Sequence, residues 1–208
     1  MAPKRDRGKA GDFKTVRGMI ELKAGDSLLV DYEAAITRIG KADAKRAFSR
    51  ALNHEGRKAF TAIKRVLRKQ TGLKAYDVNN AVKYGQATTN RLQSTIRATG
   101  RKEWLRKFGA RQFKYGVRAR PWNRSQRFNH AFIVKSLDGN VFINTRELNP
   151  RSGRKNAIRP LFGPSVPEEM LKDESLQTFM RSTDGLADRA AHEIRVILEG
   201  WARPGRRG

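Results

Sequence analysis

Between Arg101 and Arg127 the chain carries ten basic residues and one acid, Glu103. Trp104, Phe108, Phe113, Tyr115, Trp122 and Phe128 are interleaved with them or adjacent. Cationic side chains hold phosphates and aromatic rings stack on bases, so this mixture suits single-stranded nucleic acid. The rings have a plainer reading as well. Phe113, Tyr115, Val117 and Ala119 alternate with Gln112, Lys114, Gly116, Arg118 and Arg120. One pleated strand would bury the first set and expose the second, and this reading is favoured for Phe113 and Tyr115. Arg111, Lys114, Arg118, Arg120, Arg124 and Arg127 are then the candidate nucleic-acid-facing residues, meeting backbone charge without reading sequence.

Residues for bond-breaking chemistry are sparse. His54, His130 and His192 lie far apart in sequence. "HEIRV" (His192 to Val196) begins like a zinc-protease helix, but Val196 stands where the second histidine is needed. No phosphate-binding loop, dinucleotide fingerprint or nucleophile elbow occurs. The acid pairs Glu168-Glu169 and Asp173-Glu174 are adjacent, and neighbours on a helix do not face each other. A metal-dependent nuclease needs carboxylates converging near the basic groove. That half of the chain offers Glu103, Asp138 and Glu147, with Asp138 explained by a turn. The expectation is no catalytic residue, no metal site and no cofactor, hence not an enzyme.

Charge points the same way. Among 208 residues, 45 Lys and Arg face 20 acids, a formal net charge of +25. Such an excess opposes self-association and favours polyanions. Hydrophobic residues are 38%, which implies a thin core or one completed by neighbouring subunits. The absence of cysteine excludes disulfides and thiolate metal sites. No apolar run approaches the roughly 20 residues of a membrane span. "MAPKRDRGKAGDFK" reads as a basic flexible arm over residues 1–14, and residues 202–208 as a short basic tail.

The elements that must position these residues follow from periodicity. Thr15 to Lys23 is a weakly alternating strand candidate, followed by a short helix from residue 27 to Gly40. From Lys41 to Gln70 there is no proline and one glycine, Gly56. Phe48, Leu52, Glu55, Ala59, Ala62, Ile63, Val66 and Leu67 form one helical stripe with a single polar interruption. Gly72 ends this helix in the left-handed conformation, with Leu73 folding back. The stretch holds ten basic residues and two acids, too one-sided for solubility alone. Ala75 to Tyr84 reads as a second helix, giving a helical region over 27–84. Leu92 to Thr99 alternates as a strand, and "AFIVKSL" and "NVFINT" flank the turn Asp138-Gly139-Asn140. Residues 91–146 thus predict a small antiparallel sheet of about four strands. Residues 166–201 read as helical, ending in an amphipathic helix from about Asp184 to Trp201. Their acids look like contact surfaces for basic neighbours. The fold class is α+β, a single domain over residues 15–201.

One segment, "IRPLFGPSVPEEM" from Ile158 to Met170, is stiff and apolar. Pro160 and Pro164 keep their preceding residues extended. Ser165 is placed as the N-cap of a helix starting at Val166, with Glu168 completing a capping box. Residues 158–167 are therefore a rigid connector from sheet to helix. Leu161, Phe162, Pro164 and Val166 are its anchors, to this chain's own core or to a neighbouring subunit.

The order of "RALNHEGRKAF…KRVLRKQTGLKAYDV", "FGARQFKYGVRAR", "HAFIV" and "IRPLFGPSVPEEM" resembles the minor tail protein Z family of tailed bacteriophages and prophages. The resemblance covers roughly Ala44 to Met170, most specifically Phe108 to Gln112 and Leu161 to Pro167. "RPWNRSQRFN" is bulkier than the family's usual connection, and Ile158-Arg159-Pro160 stands where Leu-Pro-Ile is usual. The resemblance implies a structural virion protein, a tail-completion or neck component at the head-proximal end of the tail, made in the host cytoplasm. It implies a homo-oligomeric ring of six copies through which DNA passes, touching tail terminator, tube or connector proteins and no membrane. The alternative on composition alone is a stand-alone, sequence-nonspecific nucleic-acid-binding protein of nucleoid or ribosomal type.

Overall fold

A computed structural model describes residues 11–16, 19–24, 26–144 and 158–200. Its longest element is α2 (Lys41–Thr71). Phe48, Leu52, Ala59, Ile63 and Leu67 recur at helical spacing and are at most 1% exposed. Ala44, Ala47 and Ala51 widen the buried stripe. The helix ends as its sequence predicts: Gly72 is left-handed at φ 77°, its N–H donates to Arg68 O, and Leu73 is buried.

Other elements assemble around this stripe. The ring of Tyr32, on α1 (Asp26–Ile39), meets Phe48 edge-on at 4.9 Å. Phe179 of α5 (Asp173–Thr183) and Leu186 and Ala190 of α6 (Leu186–Leu198) are buried where these helices pack along α2. Ser175 Oγ donates to Gln70 Oε1 at 2.8 Å, fixing α5 to the end of α2. Another side of α2 is covered by an antiparallel sheet of order β1-β2-β4-β3. Its strands are β1 (Gly11–Val16), β2 (Met19–Ala24), β3 (Val82–Gly85) and β4 (Gln93–Ala98), with α3 (Ala75–Ala81) leading into β3. Ile20 lies opposite Ile96 and Leu22 opposite Ser94, all buried.

Two side-chain details set the fit of helix to sheet. A Cβ at Gly56 would lie 2.5 Å from Tyr84 Oη and 2.7 Å from Ser94 Oγ, so the crossing has room for glycine alone. One helical turn away, Asn53 acts as a strand partner. Its Nδ2 donates to Ala87 O and its Oδ1 accepts from Ala87 N, both at 2.8 Å.

Beyond this unit lie two three-stranded antiparallel sheets. One has the order β5-β6-β7, from β5 (Arg111–Phe113), β6 (Gly116–Ala119) and β7 (Gln126–Asn129). The other has the order β10-β9-β8, from β8 (Ala131–Val134), β9 (Asn140–Asn144) and β10 (Ile158–Pro160). The short helix α4 (Val166–Met170) leads into α5. The class is α+β, as expected.

Several finer expectations are corrected. The 91–146 region contributes to three sheets, not one: residues 99–110 separate β4 from β5, and His130, left-handed at φ 60°, separates β7 from β8. The expected helix to Tyr84 stops at Ala81, where Val82 pairs with Ala98. The expected flexible arm to Lys14 gives way to a strand from Gly11, paired with β2. The expected C-terminal helices are three, α4, α5 and α6, the first starting at Val166 as expected and the last at Leu186 rather than Asp184. Residues 1–10, Glu147, Trp201 and the 202–208 tail lie outside the described residues.

Gly56→Ala should destabilise the protein. A helical glycine gains about 1 kcal/mol on becoming alanine, but overpacking costs about 1–3 kcal/mol. Denaturant unfolding should show a net loss, partly recovered in a Gly56→Ala, Tyr84→Phe double variant. Unchanged or higher stability in Gly56→Ala would mean the crossing has slack.

Stability should also fall in alkali. Burial pushes the Tyr84 hydroxyl up, against smaller opposing effects of the Ser94 hydrogen bond and the Arg57 charge. For Lys107, desolvation works downward, but hydrogen bonds to Asp77 and Glu103 and their charges outweigh it and raise the ammonium. Both groups keep their protons to higher pH folded than unfolded. Their stabilisation is therefore whole below about pH 10 and is lost as pH rises through the folded values. Thermal melts from about pH 9 to about pH 11 should show a decline that Tyr84→Phe flattens; equal slopes would exclude Tyr84 as a source.

Candidate nucleic-acid interface

The basic-aromatic stretch begins with a 3-10 turn, Leu105–Phe108, whose Leu105 and Phe108 are buried. Gly109 turns the chain into β5 at φ 67°. The expected single strand over residues 112–120 is instead a hairpin, with a tight turn at Lys114-Tyr115 between β5 and β6. Gly116 is the cause: its φ of 145° and a Cβ position 2.1 Å from Phe128 O admit no side chain. Gln112 fastens the hairpin to the next sheet. Its Nε2 donates to Gly116 O at 3.0 Å and its Oε1 accepts from Ile133 N at 3.0 Å.

The register aligns three arginines. Arg111 lies opposite Arg118, and Arg118 opposite Arg127, so the three share one face of the β5-β6-β7 sheet. The other face carries Val117, Ala119 and Phe128, turned toward the core. Directly opposed like charges are destabilising in a sheet. No carboxylate among the described residues pairs with Arg111, Lys114, Arg118, Arg120, Arg124 or Arg127 within 4.0 Å. Lys114 is exposed at the hairpin tip, and Arg120 and Arg124 flank the 3-10 turn Pro121–Asn123.

The expectation that Phe113 and Tyr115 form a buried strand face is overturned. Phe113 is 38% exposed. The two rings stack on each other with centroids 5.4 Å apart and planes 8° from parallel. The Arg118 guanidinium lies 5.0 Å from the Phe113 centroid and that of Arg127 lies 5.5 Å from the Tyr115 centroid. Arg118 Nε also donates to Tyr115 Oη at 3.3 Å.

The loop after β6 is held hard. Trp122 and Asn123 both have φ of 55°, unfavourable for non-glycine residues. Trp122 Nε1 donates to the buried Glu169 at 2.9 Å, and Asn123 Nδ2 donates to Lys69 O at 2.7 Å. The second bond satisfies a carbonyl left open at the end of α2.

The proline corner supports this region from behind. Trp104 and Phe162 form an antiparallel bridge with rings 4.6 Å apart. Gly163 N donates to Glu103 O at 2.7 Å, Leu105 N to Leu161 O at 3.2 Å, and Leu161 N to Val141 O at 2.9 Å. Pro164 and Val166 are buried and Leu161 is half-buried, while Phe162 is 41% exposed. Ser165 occupies the N-cap position of α4, but its side chain makes no capping hydrogen bond. Glu168 is exposed, so the expected capping box is not formed; pairing with residues 103–105 sets the chain direction instead.

The remaining candidates disperse. His54, His130 and His192 are exposed on separate elements. Glu103 pairs with Lys107 at 2.9 Å, and Asp138 sits left-handed in the β8–β9 hairpin. Among the described residues no group of three His, Asp or Glu side chains is placed to hold a metal ion. A cleft of about 730 Å³ beside α2 and α6 contains Arg50, Arg57, Lys58 and Arg189. Buried Glu193 offsets that charge by pairing with Arg189 and, at 3.8 Å, Arg50. Glu193 of α6 thus meets basic residues of its own chain.

Sequence reasoning missed Asn53, the ring pair and the Trp122–Glu169 bond. A glycine inside an alternating run, Gly116, was the available signal for the hairpin. No family model, curated protein or solved structure matches the chain.

Gly163→Ala should detach the corner. An added Cβ would lie 2.3 Å from Phe108 Cε2, against a buried ring that cannot retreat. The expected loss is about 1–3 kcal/mol by denaturant unfolding. Wild-type stability in this variant would show that the corner is loosely seated.

Proposed function

We propose that the protein is a non-enzymatic structural component of a tailed phage, of the tail-completion type, placed at the head-proximal end of the tail. In this reading copies form a ring around the path of the DNA and meet other tail or neck proteins. The observation that carries it is the junction of Phe108 with Gly163. The two blocks in which the resemblance is most specific, Phe108 to Gln112 and Leu161 to Pro167, are distant in sequence and meet in one packed unit. The half-exposed Phe162 on Trp104 suits contact with a neighbouring subunit. A second reading, a stand-alone sequence-nonspecific nucleic-acid-binding protein, is favoured by the arginine row, which no described carboxylate neutralises, and does not need the exposed ring.

Solution mass at low and high salt, with and without DNA, separates the two. A closed multimer persisting without DNA, and strengthened as salt screens the +25 charge, supports the ring. A monomer that gains mass only on DNA supports the second reading. Phe162→Ala should cost well under the about 3–5 kcal/mol of a buried phenylalanine while abolishing multimer formation. Metal-dependent DNA cleavage lost on a single carboxylate substitution would overturn both.

A further inference from the structure

We infer that the outer face of the β5-β6-β7 sheet binds the phosphate backbone of double-stranded DNA, with the Phe113–Tyr115 pair acting as a clamp that orients guanidiniums. The starting point is a row of like charges that no described carboxylate neutralises. Arg111, Arg118 and Arg127 stand side by side on adjacent strands, and no described carboxylate relieves them. A strand spacing of about 4.8 Å makes the row about 10 Å long. Duplex DNA carries one charge per about 1.7 Å of axis with both strands counted, so that length of duplex holds about six phosphates, about three on each strand. The exposed Lys114, Arg120 and Arg124 extend the positive field around the row.

The rings decide between duplex and single strand. A stacking platform needs a free aromatic face for each base. Here Phe113 and Tyr115 lie against each other, and each ring carries a guanidinium within 5.5 Å of its centroid. Arg118 is further tied to Tyr115 Oη. The rings hold the arginines in place and are not free to hold bases. Held guanidiniums lose less side-chain entropy on meeting phosphate, which favours contacts that ignore base identity. This inference goes beyond the virion reading, and the two fail separately: DNA binding is measured on the purified chain, ring formation on its mass.

The test uses the full chain and three probes: a duplex, a single strand of equal phosphate number, and polyglutamate. Log affinity against log salt is compared for wild type, for Arg111→Gln, Arg118→Gln, Arg127→Gln together, and for Arg65→Gln, Arg68→Gln, Lys69→Gln together. The second triple removes the same charge from exposed positions on α2. Each phosphate neutralised by the protein adds about 0.9 to the duplex salt slope, so the sheet triple should lower that slope by about 2 to 3 and the helix triple by less than about 1. If the sheet triple melts at lower temperature than wild type, Arg111→Gln and Arg127→Gln singly should each lower the slope by about 0.9. Phe113→Leu, Tyr115→Leu should weaken duplex and single strand by the same factor. Equal losses in the two triples, tighter binding of the single strand, ring substitutions that weaken only the single strand, or polyglutamate competing as well as duplex would each overturn the inference.

Discussion

The structure depends on burial of one apolar stripe along α2. A chain with 38% hydrophobic residues has little apolar surface to use, and its longest buried stripe lies on a single 31-residue helix. The layers packed on it are α1, α5 and α6 as helices, and the β1-β2-β4-β3 sheet. Because the stripe is built largely from alanine around a few large residues, neighbours approach closely. Gly56 is the extreme of this, and Asn53 adds a directional bond where apolar contact alone would leave helix and sheet free to slide. The polar interruption predicted in the stripe, Glu55, is buried at 3% exposure and reaches Lys58 and His54 at its margin.

Charge is arranged by a different logic inside and out. The few acids near the core are matched to specific donors: Glu169 to Trp122 and Lys172, and Glu193 to Arg189. Buried carboxylates require such partners. Among the described residues no carboxylate matches the basic residues of the β5-β6-β7 sheet, and their register sets like charges against each other. A row of this kind lowers folding stability by itself.

The proline corner links these two systems. It leaves β10, pairs with residues 103–105, seats Gly163 against the Phe108 ring, and turns into α4. Glu169, on α4, then fixes Trp122 beside the arginine sheet. A chain of short contacts therefore joins the end of α2, the strained Trp122-Asn123 loop and the corner.

The helices were legible in the sequence because their signals are local. The stripe of α2 repeats at helical spacing over many turns, and Gly72 terminates it wherever the helix is placed. The β8–β9 hairpin was legible for the same reason, since Asp138 and Gly139 favour its turn regardless of context. The basic character of residues 101–127 was likewise set by residue types alone. What the sequence could not settle was pairing. Alternation in Phe113 to Ala119 fits one strand or two, and only the backbone approach of Phe128 to Gly116 decides for a hairpin that exposes the rings. Ser165 carried a capping signature, yet long-range pairing with residues 103–105 took over the direction of the chain. The arginine row depends on register between strands, a relation among residues distant along the chain. Side-chain period is a property of each segment, but which segments oppose one another is set by burial in the folded whole.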